Sequence, residues 1–267
     1  MHEDSRFLRE TIVDVDAAVV GISSLRWTAI PESEASPGSA MAIMKANRFD
    51  ILPIVAPTGV KEYFCADRWN DYSSISKRAV THRDVIPFDT RLRDVMRSFA
   101  SDSRTFFFLG NNRRIVGLIS IVNLNCRAVK VYLFSLLSEL EIQLGRFIAT
   151  HISDSDLLQM TFGASSKAKH ETVRQRYEAD KAKGLEVPLV EYLYLFDLLN
   201  IIAARKLFSH LGYPSGNQFK DRFNPLNDLR DAVAHPSRSL VTDEDSCKHL
   251  WERIDKVEEA IFVLGEV

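Results

Sequence analysis

Residues 92–120 read LRDVMRSFASDSRTFFFLGNNRRIVGLIS, and the order of their parts decides how the first half of the chain folds. Leu92 to Phe99 has the spacing of an amphipathic helix, Thr105 to Leu109 is an apolar run, Gly110-Asn111-Asn112 is a turn, and Ile115 to Ser120 is a second apolar run. The same order occurs once before: a helix at Ser39 to Ala46, a strand at Ile51 to Val55, a turn at Pro57-Thr58-Gly59 and a strand at Val60 to Cys65. Met44 and Met96 sit at matching places, which sets the repeat offset at 52 residues. A short apolar run alone fits either a strand or a buried helix; the bounding Gly, Pro and Asn turns favour strands here.

From about Ala128 the pattern changes to helix with polar connectors, so the chain is read as α+β with a domain boundary there. Val131 to Ile148 carries Leu133, Leu136, Leu137, Leu140, Leu144 and Phe147 at helical spacing. Leu189 to Phe208 is apolar on most of its surface, as a single bundle-core helix would be, and Ser165 to Gly184 is a charged exposed helix or mobile insert. Thr242, followed by Asp243, Glu244 and Asp245, marks a helix start, after which Cys247, Leu250, Ile254, Val257, Ile261 and Leu264 form one apolar stripe.

A length of 267 residues suits two domains. With 34 basic and 36 acidic residues there is no global field to attract a polyanion, so any polyanion contact needs a local patch, such as one assembled across a dimer. Cys65, Cys126 and Cys247 are odd in number and contain no CxxC pair, which argues against a disulfide framework and against a zinc site. The first ten residues lack the apolar run of a signal peptide, and no stretch has the length to cross a bilayer. A reducing, cytoplasmic setting is therefore expected.

The second repeat ends in Gly117-Leu118-Ile119-Ser120-Ile121-Val122-Asn123. A Gly, two apolar residues, a hydroxyl residue and an Asp or Asn three positions on resembles the closing motif of CBS (cystathionine β-synthase) modules, and the resemblance covers about residues 12–126, as a tandem CBS pair. It implies small sheets flanked by helices and an adenine-nucleotide ligand (AMP, ADP or ATP), with Gly117, Ser120 and Asn123 at the site. Ser120 would approach the phosphate and Asn123 the ribose hydroxyls. Hydroxyl and amide groups near a helix N-terminus suit such contacts. A second reading is equally open: Ser120 and Asn123 cap the following helix. Aligned on apolar residues, the first repeat has Tyr63, Ala66 and Trp69 at these places and would be degenerate. Arg83, Arg113 and Arg114 are basic residues that either meet a phosphate or are solvated.

Near the C-terminus stands Leu229-Arg230-Asp231-Ala232-Val233-Ala234-His235-Pro236. R-x4-H spacing alone is weak, because Arg146 to His151 and Arg205 to His210 also satisfy it. Only the third match has an acidic residue, Asp231, after the Arg and lies between two expected long helices. The segment resembles the R-x4-6-H motif of HEPN domains, and the all-α resemblance spans residues 128–267. It implies a metal-independent endoribonuclease of the toxin or defence type, working as a homodimer and leaving a 2′,3′-cyclic phosphate, with Arg230, Asp231 and His235 at the site. Five residues on a helix rotate side chains apart by about 140°, but Pro236 disfavours helix at His235 and lets the imidazole turn. His235 suits proton transfer and Arg230 suits charge stabilisation on the phosphorane, with Asp231 orienting the guanidinium. Alternatively, Arg230 bridges Asp228 or Asp231 on a solvated face and His235 is an ordinary helix end. Glu139 and Glu141 either orient the Arg or are exposed carboxylates. The Tyr that some HEPN toxins carry shortly after the motif is absent, since Pro236, Ser237 and Arg238 follow.

The sequence thus leads to a nucleotide-regulated ribonuclease, with a non-catalytic nucleotide-sensing scaffold or RNA-binding dimer as the alternative.

Overall fold

The computed structural model describes residues 13–66, 72, 74–102, 104–159 and 167–265. The chain's first ten residues, Trp69 and the start of the charged 165–184 stretch lie outside them. The protein is mixed α+β, with two four-stranded sheets among the described residues. It divides into two compact units, one of Asp14–Val129 with Val241–Cys247, the other built on Lys130–Leu240 and the helix that continues from Lys248. No helix among the described residues is long and apolar enough to cross a membrane.

In the first unit, α1 (Ala17–Val20) and β1 (Ile22–Ser23) precede two copies of one motif. The first copy runs β2 (Ile30–Pro31), α2 (Pro37–Asn47), β3 (Ile51–Ala56), β4 (Gly59–Ala66) and β5 (Ile75–Ala79). The second runs β6 (Val85–Pro87), α3 (Leu92–Asp102), β7 (Phe106–Asn111) and β8 (Arg114–Ser120). Sheet orders are β2-β3-β4-β5 and β1-β8-β7-β6, so the chain's early strand β1 completes the second sheet. In each copy the leading pair is parallel, the hairpin is antiparallel, and a bulge interrupts the hairpin at Ile54/Val55 or Leu109/Gly110. These landmarks correct the repeat offset: Pro37 and Leu92, Ile51 and Phe106, and Ala56–Gly59 and Asn111–Arg114 are each 55 residues apart. The two methionines had matched on side-chain type, whereas hairpin register fixes true equivalence. Met44 and Met96 are both buried, but the residue equivalent to Met44 is Phe99.

The apolar run Phe106–Leu109 is buried on both faces, which is why it reads as continuous rather than alternating. Phe107 packs on Phe99 of α3 at 5.1 Å between centroids, inside its own repeat. Phe106 and Phe108, on the opposite face, meet Tyr63 of the first repeat edge-on at 5.4 and 5.5 Å. With Ile51, these residues form a buried cluster shared by the two repeats, distinct from the cluster around Met44, Leu52 and Phe64 inside the first.

The second unit is helical. Its elements are α4 (Arg127–His151), α5 (Asp154–Gln159), α6 (Lys167–Ala182), α7 (Leu195–Ala204), α8 (Gly216–Ala234) and α9 (Glu244–Gly265). Helix α4 continues from the first unit into the second at Val129/Lys130 without interruption, and α9 crosses the same division at Cys247/Lys248. The expected single helix over Leu189 to Phe208 is instead three pieces: a 3-10 turn at Leu189–Tyr192, α7, and a 3-10 turn at Leu207–Ser209. Tyr194 is extended before α7, and its amide donates to the Asp197 carboxylate 3.3 Å away. The start of α9 falls one residue later than the Thr242 expectation, with the Asp243 carboxylate accepting the Ser246 amide at 2.8 Å. The α9 stripe from Cys247 to Leu264 is buried at all six positions.

Candidate functional site

Helix α8 carries Leu229 and Val233 into the core, which leaves Arg230 half-buried at a junction of three helices. Its guanidinium carbon stands 5.1 Å from the centroid of the Tyr194 ring, just before α7. Its Nε is 3.8 Å from the Glu141 carboxylate of α4, and another guanidinium nitrogen is 3.7 Å from Asp231. These separations give charge contact without direct hydrogen bonds. Glu141 also accepts the Leu195 amide at 3.1 Å, so it caps α7 while facing Arg230. Burial pushes the Glu141 carboxyl above its usual range, and the Leu195 amide and Arg230 charge offset only part of that rise. Neither glutamate is the fully exposed carboxylate that one sequence reading allowed. Glu139 is only 5 % exposed and accepts from the Gln143 amide at 2.7 Å.

His235 is the residue at which α8 ends. Its backbone is extended, with φ −99° and ψ 108°, and its amide donates to the Asp231 carbonyl at 3.2 Å. Pro236 accounts for this departure from helix. The imidazole is exposed at the C-terminal end of α8. Its loop is held by Lys130, the first residue of the helical unit on α4. That ammonium donates to the carbonyls of His235, Pro236 and Arg238 at 2.7, 2.9 and 2.7 Å. Lys130 lies about a hundred positions from the motif and has no spacing signal to announce it, so sequence reasoning missed it. The rings of the histidines of the two competing R-x4-H matches, His151 and His210, meet at a tilt of 55° with centroids 4.8 Å apart. His151 is further tied to the Phe147 carbonyl at 2.8 Å.

In the other unit, Ser120 and Asn123 form a reciprocal capping box at the end of β8. The Ser120 amide and hydroxyl both donate to the Asn123 side-chain oxygen, at 2.8 and 2.9 Å. Both residues also line a cavity of about 360 Å³, so the capping role and a position facing a ligand coexist. Trp27, Arg26 and Arg48 share this lining, as do Asp50 and Thr105, which are equivalent under the 55-residue repeat. An indole wall with two guanidinium groups and an amide suits a flat, phosphate-bearing molecule. A second hollow of about 280 Å³ shares Asp50, Thr105 and Ser120 with it and is lined by Asp243, Glu244 and Asp245 at the start of α9.

Gly117 does not line the cavity. It pairs with Ser23 across β1 and β8, and a Cβ there would stand 2.7 Å from the Ile22 carbonyl oxygen. Close strand approach therefore accounts for this glycine. By hairpin register the first-repeat counterparts of Gly117 and Ser120 are Glu62 and Cys65, one position before the Tyr63 and Ala66 expected from apolar matching. Trp69 lies outside the described residues. Arg113 and Arg114 sit with Lys61 and His82 around a separate hollow, and Arg83 lines neither it nor the Ser120 cavity. The basic residues beside Ser120 are Arg26 and Arg48, which lie far from the motif in sequence. No protein-family model matches this chain, and no curated protein sequence matches it.

Proposed function

We propose that the chain is a metal-independent endoribonuclease of HEPN type, acting as a homodimer and regulated by an adenine nucleotide bound in a CBS-type pair. The observation that carries this reading is the pairing of a restrained Arg230 with an exposed His235 that leaves α8 at its last turn. The reaction would begin when the 2′-hydroxyl attacks phosphorus and gives its proton to a neutral imidazole. The new O2′–P bond forms as the P–O5′ bond breaks, and an imidazolium from the second copy protonates the leaving oxygen. Arg230 would stabilise the extra charge on the phosphorane, and Tyr194, Glu141 and Asp231 would hold it in place. The product ends are a 2′,3′-cyclic phosphate and a 5′-hydroxyl.

For the regulatory unit, Trp27 offers a stacking face and Arg26 and Arg48 offer phosphate contacts around the same cavity as Asn123. The scaffold reading draws on one specific observation: the Glu141 carboxylate, within contact range of Arg230, competes with a phosphate for it. The two readings separate on incubation of purified protein with total RNA in EDTA, with and without AMP or ATP, beside His235→Ala. Cleavage that responds to nucleotide and disappears in the variant is the expected result. RNA binding without hydrolysis would favour the scaffold.

A further inference from the structure

An ammonium group has three N–H donors, and Lys130 spends all of them on backbone carbonyls of one short segment, His235, Pro236 and Arg238. The residue is 8 % exposed, so these charge-assisted bonds form largely out of water's competition. Within that segment the backbone makes few other bonds: the His235 amide reaches back to Asp231, and the Arg238 amide closes a turn on the His235 carbonyl at 3.2 Å. Residues 235–239 are all exposed, so packing restrains this loop less than it restrains the buried face of α8. One cation on another helix therefore gathers three carbonyls of the segment at the point where His235 leaves α8. A compact ammonium can address three converging oxygens, whereas a planar guanidinium presents its donors in a fixed fork.

We propose that Lys130 is the positioning residue for His235, fixing its backbone so that the imidazole meets the scissile phosphodiester. The catalytic consequence rests on the ribonuclease reading; the anchorage of the loop does not. Lys130 is also the residue at which α4 enters the helical unit. A change in the first turns of α4 would thereby reach the His235 loop through a single side chain.

The test compares the full-length protein with Lys130→Met, Lys130→Arg and a control, Val257→Ala, which opens a cavity at a fully buried position of α9. Amide hydrogen exchange is followed by mass spectrometry, and RNA cleavage is measured as kcat and KM. In Lys130→Met, exchange over residues 235–240 should rise at least tenfold while peptides from the body of α8 remain protected. Its kcat should fall at least tenfold with KM within twofold, Lys130→Arg should recover only part of the loss, and the control should keep the wild-type kcat despite a lower melting temperature. Unchanged exchange over 235–240 would overturn the anchorage, whether or not the wild type cleaves RNA. A loosened loop with wild-type kcat would overturn the positioning role. A wild type that cleaves no RNA, with a loop that still loosens in Lys130→Met, would remove the ribonuclease reading and leave the anchorage standing.

Discussion

Asp84 and Glu141 are both withdrawn from water, yet their carboxyl groups move in opposite directions. Burial raises Asp84, but the Thr81 hydroxyl and amide, together with Arg104 at 2.6 Å, outweigh it and hold the group below its usual value of 3.8. An acid with a lowered folded pKa stabilises the fold above its unfolded pKa and loses that contribution as pH falls through the folded value. Asp84→Asn should therefore destabilise the first unit by about 2 kcal/mol at pH 7, with the difference from wild type shrinking as the pH drops below the ordinary Asp range. Urea unfolding across a pH series reads both effects. For Glu141, burial wins, so the folded state holds its proton to higher pH than the unfolded state. Its contribution to stability falls as pH rises from 4.5 through the raised folded value, and Glu141→Gln should remove that slope. Cys247 gives a third residue-scale check. Burial pushes its thiol up to about 11, so at pH 8 a thiol reagent should modify the half-buried Cys65 and Cys126 long before Cys247 in the folded protein.

At the scale of elements, local pattern was legible wherever one short segment contained the whole cause of its structure. Both hairpins, α3, the long helix α4 and the α9 stripe follow from spacing and turn residues, because their hydrogen bonds or buried faces repeat within the segment. The break before α7 was not legible. Leu189 to Phe208 is apolar almost throughout, and the cap that lets Tyr194 leave helical geometry includes Glu141, 54 positions away from the Leu195 amide it accepts. The repeat offset failed for a related reason, since equivalence is set by which strands pair rather than by which side chains look alike. Gly117 shows the same limit: its motif position suggested a ligand, while its surroundings show β1 backbone against it. Gly117→Val should accordingly destabilise the first unit by about 1–3 kcal/mol through displacement of β1. Thermal unfolding, with exchange at Ile22 and Ser23 as the local readout, would detect it. An unaltered unfolding curve would return Gly117 to the ligand.

For the molecule as a whole, two halves of the candidate site were readable to different depths. Arg230 and His235 lie five residues apart and could be found as a motif, and Glu141 could be named as one of two candidates to orient the Arg, but Lys130 and Tyr194 reach them from distant segments and carry no mark in the sequence. The cavity beside Ser120 is similar, because Trp27, Arg26 and Arg48 reach it only through the fold. If it holds an adenine nucleotide, AMP should quench the tryptophan fluorescence of the wild type, Trp27→Phe should lose most of that signal, and Arg48→Ala should weaken binding about tenfold. The carboxylates of Asp243, Glu244 and Asp245 in the adjoining hollow predict that, in EDTA, ATP binds less tightly than AMP. Tighter binding of ATP under those conditions would contradict that placement of the phosphate. The central claim concerns the helix end at Arg230 and His235, and the measurement that bears on it most directly is cleavage of one RNA oligonucleotide in EDTA by wild type and His235→Ala, with product ends identified by mass. The account predicts a 2′,3′-cyclic phosphate from the wild type, at least a hundredfold slower cleavage by the variant, and no cut in the all-deoxy oligonucleotide. Equal rates for the two proteins, or cleavage of the deoxy strand, would contradict it.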